Sequence, residues 1–258
     1  MLWLIPSAQA LELEGSFTQG GLVTGRVAPG AKVYLDGKAV AVAPDGRFLF
    51  GFGREAEAAA ELRAEGPDGT VTRRLEIARR DYDIQRVDGL PDRKVTPKPE
   101  DLARIRADQD RINAVRRQLT LASLFASGFQ WPVTGRISGV YGSQRVLNGQ
   151  PRRPHFGVDI AAPKGTPVAA MADGTVALVH QDMFYTGKTV MLDHGLGLTS
   201  VYIHMDAITV DQGAKVRKGQ QIGTVGQTGR ATGPHLHWGV AWFGTQLDPA
   251  LLVGPQPN

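Results

Sequence analysis

From residue 11 to about residue 80, short runs of alternating apolar and polar residues follow one another. Pairs of turn residues separate them: Pro29-Gly30, Asp36-Gly37, Asp45-Gly46 and Asp68-Gly69. A side-chain period of two is the mark of a half-buried strand. In KVYLDGKAVAV an Asp-Gly pair joins two such runs, which is a strong local hairpin signal. The pattern predicts a small β-sandwich over residues 11–80. No catalytic constellation falls within it, so a spacer or binding module is expected there.

The texture then changes twice. A linker, 81–128, begins with the polar, proline-containing stretch DYDIQRVDGLPDRKVTPKPE. Between about residues 100 and 119, Leu102, Ile105, Ile112, Val115 and Leu119 recur on one stripe among Arg and Asp residues, which predicts an amphipathic α-helix. Such a helix is about 30 Å long. It is expected to dock by one edge and to set the distance between two modules. From 129 to 258, strand-like runs alternate with glycine turns, and no long helical pattern interrupts them. The predicted architecture is mainly β: an N-terminal small β-sandwich, one connecting α-helix and a C-terminal antiparallel β domain.

Composition narrows the chemistry. The 258 residues, 42% of them hydrophobic, suffice for one large domain or two modest ones. No apolar run approaches the roughly 18–20 residues of a membrane span. Cysteine is absent. Thiolate zinc sites, disulfides and cysteine nucleophiles are therefore excluded, and any metal must be held by histidine and carboxylate. The net charge of +4 suits an anionic partner such as a cell wall and is mild for a nucleic-acid binder. The arginine pairs at 73–74, 79–80, 116–117 and 152–153 lack aromatic interleaving and read as solvated faces, and no nucleic-acid partner is expected. MLWLIPSAQA ends in Ala8-Gln9-Ala10, an A-x-A cleavage pattern. Residues 1–10 thus read as a truncated export-signal remnant, which implies a periplasmic or secreted protein.

All six histidines fall between positions 155 and 237. In TGPHLHWGV, His235 and His237 are two apart. On a strand they share a face, with Cα atoms roughly 6.6 Å apart, while Leu236 and Trp238 point the other way into packing. His155 and Asp159 are four apart in RPHFGVDIAAPKGTPV. On a straight strand their Cα atoms would lie roughly 13 Å apart, too far to share an ion at bond lengths of about 2 Å. If both bind metal, the chain must bend between them, and Gly157 permits it. Spacing alone does not say which of His235 and His237 is a ligand, and Asp159 alone could be a turn carboxylate.

HFGVD, YIHM and GPHLHW, in that order, resemble the lysostaphin-type (LytM-like) zinc endopeptidases, which cut peptide bonds in bacterial peptidoglycan. FQWPVTGRISGVYG, APKGTPVAAMADGTV and VRKGQQIGTVGQTG match the same family, and the resemblance covers about half of the chain. It implies one Zn2+ per chain held by His155, Asp159 and His237, with His204 and His235 as catalytic histidines that do not bind the ion. Three protein ligands leave a position open on a catalytic zinc. With no HExxH glutamate, an imidazole must handle the proton. Which of the two does so is not specified by the resemblance.

Tyr141, Arg145, Phe184 and Tyr185 lie near turns and are candidates to contact substrate. The segment 143–154 between Tyr141 and His155 could gate the groove. His194, in LDHGLG, is expected to be structural, and His180 receives no role. The implied function is hydrolysis of peptidoglycan cross-links by a monomeric enzyme that acts on peptide stems. A D-Ala to diamino-acid bond is the first choice of substrate and a glycine-rich bridge the second. A protein regulator could act through the N-terminal module or the helix. The alternative is an inactive relative that binds and activates other wall hydrolases. GTPVAAMADGTV and VRKGQQIGTVG also look like lipoyl- or biotinyl-domain hairpins, but AMADG lacks the lysine that such a tip requires.

Overall fold

The computed structural model describes residues 11–67 and 69–257. The expected signal remnant at 1–10 and Asp68 of the Asp68-Gly69 turn lie outside them. The fold is mainly β. Seven strands come first: β1 (Glu12–Gly15), β2 (Leu22–Arg26), β3 (Lys32–Leu35), β4 (Lys38–Val40), β5 (Arg47–Gly51), β6 (Ala59–Gly66) and β7 (Gly69–Glu76). They form two sheets, β1-β2-β5 and β4-β3-β6-β7, around a core that includes Val23, Val33, Phe48, Phe50 and Leu62. Asp36 and Gly37 close the β3–β4 hairpin with φ of 48° and 74°. Positive φ at both turn residues gives a twist that matches the flanking strands.

The connecting segment holds β8 (Ile84–Val87), the single helical turn α1 (Asp92–Val95) and α2 (Leu102–Arg116). The remaining strands are β9 (Arg136–Gly139), β10 (Gln144–Leu147), β11 (Gln150–Pro151), β12 (Val158–Ala161), β13 (Pro167–Ala169), β14 (Gly174–Met183), β15 (Gly187–Asp193), β16 (Leu198–Met205), β17 (Ala207–Ile208), β18 (Lys215–Val216), β19 (Gln221–Thr224), β20 (His235–Trp242) and β21 (Thr245–Leu247). The large sheet runs β18-β14-β15-β16-β20-β12-β9, with β21 on β20. All its neighbours are antiparallel.

The two faces of this sheet do different things. One buries Val158, Ile160, Val190, Tyr202, Leu236 and Trp238 against Val168, Ile222 and Val225 from the small sheet β13-β19-β17 and its following loop. The other presents Met191, Val201 and Ile203 to α2, which contributes Ile112 and Val115. The helix is shorter than its predicted span, and its stripe is narrower. Leu102 and Leu119 are exposed, and Asp108 is buried in the stripe. Its carboxylate accepts the Phe184 N–H at 2.7 Å, so a polar anchor replaces apolar contact at the N-terminal half.

The connecting segment is not a spacer. β8 pairs in parallel with β10, and the two modules touch directly. Leu22, Ala43 and Leu49 belong to the same apolar cluster as Val240 and Leu247. Arg80 pairs with the buried Asp248 at 2.8 Å. Nor are all the paired arginines solvated. Arg152 donates to the Val95 carbonyl, and burial pushes the half-buried Arg116 down to about 10.

Candidate metal centre

Strand register assembles the site. β12 and β20 pair so that Asp159 faces His237 and Ala161 faces His235. Directly opposed residues point to the same side of a sheet, so Asp159, His235 and His237 share one face while Leu236 and Trp238 fill the core behind. His155 precedes β12 in a loop, and the chain bends at Gly157 before the strand begins. That bend brings His155 Nε2 to 3.1 Å from Asp159 Oδ1. Gly157 also leaves necessary space. A Cβ there would lie 2.6 Å from both His237 Nε2 and the Trp238 carbonyl.

His204 arrives by a different route. Its neighbour Ile203 opposes His237, so strict alternation would turn the His204 side chain to the opposite face. Instead His204 has φ of +63°. Non-glycine residues seldom occupy this left-handed region, and they do so where the surroundings impose it. The twist brings the His204 ring to 4.8 Å from that of His235 and 6.4 Å from that of His237.

Hydrogen bonds fix the tautomers. A backbone carbonyl can only accept, so a ring nitrogen facing one must carry the proton. His155 Nδ1–H donates to the Val140 carbonyl at 3.0 Å, His204 Nδ1–H to Thr228 at 2.7 Å and His235 Nδ1–H to Gly233 at 2.8 Å. In the neutral form of each of these rings the lone pair is on Nε2. His237 is presented the other way round. Its Nδ1 lies 2.7 Å from Asp159 Oδ1 and 2.8 Å from His155 Nε2.

Three donors, His155 Nε2, Asp159 Oδ1 and His237 Nδ1, therefore converge on one point. A tetrahedral ion with bonds of about 2.0–2.2 Å spaces its ligands about 3.3 Å apart, close to the observed separations. Lone pairs crowded in this way fit a cation. The outer oxygen of Asp159 is held by Arg145 Nη2, the kind of support that orients a ligating carboxylate. Burial works to raise the Asp159 carboxyl, but the charges and hydrogen bonds of His155 and His237 hold it well below the usual carboxylate range. Burial also pushes His237 down to about 4, against the pull of Asp159. His204 lies well below the ordinary imidazole value through burial and then the charges of His235 and His237. Asp159 is thus anionic, and His204 and His237 are neutral, at physiological pH.

The candidate contact residues separate. Arg145 reaches the site. Tyr141 does not: it is 2% exposed, packs on Tyr82 and Phe156, and donates its hydroxyl to the Gln246 carbonyl at 2.9 Å. Phe184 is also buried, beneath the Lys94 ammonium. Tyr185 lies under the guanidinium of Arg230. His194 is buried, donating from Nδ1 to the Asp173 carbonyl and facing the Ser200 hydroxyl through Nε2. A cleft of about 370 Å³ opens beside Asp159 and His235, walled by Gln85, Arg86 and Val87 of β8 on one side and by residues 230–234 on another. A larger hollow of about 740 Å³, between β1–β2 and residues 125–129, carries no histidine. The converging donors mark the smaller cleft as the site. Arg230, which lines it, was not among the residues singled out from sequence. Its position in TGRATGPHLHW, five residues before His235, was the available signal.

Residues 153–249 match the model of peptidase family M23. A crystal structure from Pseudomonas aeruginosa assigned to peptidase M23 superposes with a TM-score of 0.71 at 30% identity, covering 92% of this chain and 95% of that one. The chain belongs to peptidase family M23. Among curated relatives, the DD-carboxypeptidase/endopeptidase Mpg of Neisseria meningitidis is 41% identical over 123 residues, 48% of this chain and 28% of its own. An uncharacterized metalloprotease of Haemophilus influenzae is 39% identical over 141 residues, 55% of this chain and 26% of its own. The peptidoglycan DD-endopeptidase ShyA of Vibrio cholerae is 46% identical over 85 residues, 33% of this chain and 20% of its own. The matched stretch spans about a quarter of the length of these relatives.

Proposed function

We propose that this protein is a zinc endopeptidase that hydrolyses peptide cross-links of bacterial peptidoglycan, outside the cytoplasm. The observation that carries the reading is the convergence of His155 Nε2, Asp159 Oδ1 and His237 Nδ1 on one point beside two further imidazoles. Family membership and the names of the curated relatives support the same substrate. Residues 129–258 form the catalytic unit in this reading, and the N-terminal sandwich is an accessory module.

In the proposed mechanism His155, Asp159 and His237 hold the ion. Zinc bound there would supply Lewis acidity at neutral pH. The chain supplies proton handling. His204 is neutral, with Nδ1–H committed to Thr228, so its Nε2 can accept the proton of the attacking water and return it to the leaving amine. His235 Nε2, in the same volume, shares or assists that transfer. Asp159 stays ionised through its contacts with His155, His237 and Arg145.

The test is incubation of the zinc-loaded full chain with purified sacculi, followed by identification of the new amino termini. Release of peptides with a new diamino-acid amine is expected. Intact sacculi of both diamino-acid and glycine-bridged types would overturn the reading.

A further inference from the structure

The cleft beside the metal centre is lined by four arginines, Arg86, Arg136, Arg145 and Arg230, and by one carboxylate, Asp159. Asp159 is already engaged by His155, His237 and Arg145. No carboxylate pairs with Arg86, Arg136 or Arg230 among the described residues, so the cleft carries three uncompensated positive charges before any metal binds.

Two of these arginines are held as if for an absent partner. The guanidinium of Arg230 lies over the ring of Tyr185, 4.6 Å from its centroid. The Arg230 backbone N–H donates to the Tyr185 carbonyl at 2.8 Å, so the chain is pinned beneath that stack. Its Nη1 reaches only the Lys94 carbonyl, at 3.4 Å. Burial, and then the charges of Arg145 and Arg152, hold this half-buried guanidinium below the ordinary arginine value. Arg145 donates Nη2 to Asp159, but its Nε is buried without a hydrogen-bond partner. Buried donors are almost always satisfied, and one that is not calls for an explanation. An incoming anion would satisfy it and relieve the repulsion.

We propose that Arg145 and Arg230 form an anion subsite for a free carboxylate on a peptide residue next to the scissile bond. The proposal rests on the peptidase reading above. A stacked, planar guanidinium is suited to bidentate recognition of a carboxylate. A diamino-acid cross-link carries such a carboxylate beside its amide bonds, whereas the interior of a glycine bridge carries none. The subsite therefore selects the first kind of cross-link. Arg230 is a binding residue in this scheme. Arg145 both binds the substrate carboxylate and positions Asp159.

The experiment compares two synthetic cross-linked stem peptides that differ at one group: the carboxyl of the diamino acid is free or a primary amide. Turnover by the zinc-loaded full chain is measured for the wild type, Arg230→Gln and Arg230→Lys. The wild type is expected to favour the acid about ten- to a hundred-fold in kcat/KM, the range of a charge-assisted hydrogen-bond pair. The ratio should fall toward one in Arg230→Gln and lie between in Arg230→Lys, which keeps the charge and loses the planar fork. Calorimetry of the two cleavage products on the wild type needs neither turnover nor a folded variant, and the acid product should bind more tightly. Equal cutting of both peptides with equal product binding overturns the subsite alone, as does a preference that survives in Arg230→Gln. A wild type that cuts neither peptide, nor sacculi, overturns both the subsite and the function on which it rests.

Discussion

At the scale of single residues, the site is sorted by where each imidazole points its free nitrogen. His155, His204 and His235 spend Nδ1–H on backbone carbonyls, and only His155 points its Nε2 at Asp159 Oδ1 and His237 Nδ1. His235 Nε2 stands off at 3.9 Å from Asp159 Oδ1. In the proposed mechanism this geometry makes His155 a ligand and His235 a proton-handling group, which gives a direct expectation. His155→Ala, Asp159→Ala and His237→Ala should lose stoichiometric zinc and activity together, because no cysteine stands by as a substitute. His204→Ala and His235→Ala should keep zinc and lose about 10²–10⁴-fold in rate, the usual contribution of a general acid or base. Elemental analysis beside turnover on sacculi checks all five variants. A metal-free His235→Ala with a zinc-loaded His237→Ala would show the pair to be reversed.

Among the elements, β12 and β20 carry the site, and its dimensions depend on how closely their backbones approach. Gly157 sits where a side chain would meet both His237 Nε2 and the Trp238 carbonyl at 2.6 Å. One of these contacts is backbone and cannot swing aside. Gly157→Ala should therefore push β12 off β20, at a cost of about 1–3 kcal/mol as an overpacked core does, and weaken metal binding. Gly244→Ala, where nothing lies within 4 Å, is the control. A zinc titration and a thermal melt compare the two, and unchanged affinity in Gly157→Ala would refute the close-packing argument. Much at this scale was legible in the sequence. The period of two and the Asp36-Gly37 turn marked the strands and a hairpin, and the His155–Asp159 spacing required a bend that the chain makes. What was not legible depends on partners distant in the chain. The positive φ of His204 follows from contacts with Thr186 and Thr228. Tyr141 packs inward because Gln246, far along the chain, accepts its hydroxyl, and Phe184 lies beneath Lys94. Arg230 acquires its meaning only from Tyr185 below it and the cations around it.

Across the whole molecule, the N-terminal sandwich and the large sheet share apolar surface, so their stabilities should be coupled. Leu49, fully buried, joins Leu22 and Ala43 in the cluster that also contains Leu198, Val240 and Leu247. The approach is tight, since a Cβ on Gly51 would lie 2.5 Å from Leu247. Polar ties reinforce it: Arg80 to Asp248, Arg54 Nε to the Gly142 carbonyl at 2.7 Å and the Asp248 N–H to the Gly20 carbonyl at 2.8 Å. Sequence texture alone suggested two modules joined through a helix. The shared cluster leads to the expectation that the C-terminal half needs its neighbour for full stability. Leu49→Ala removes a core side chain at a typical cost of about 2–5 kcal/mol. For a chain of this size each kcal/mol lowers Tm by about 2–4 °C. The full chain should melt in one transition, and Leu49→Ala should lower the whole transition by roughly 4–20 °C on those figures. A chain beginning at residue 129 should melt lower than the full protein at the same zinc concentration. It would also expose Leu247 and lose β8, one wall of the cleft. Calorimetry on the three proteins decides the matter. Two separate transitions, with Leu49→Ala moving only the one that belongs to residues 11–80, would show that the modules are stable independently, as would a shortened chain that melts with the full one.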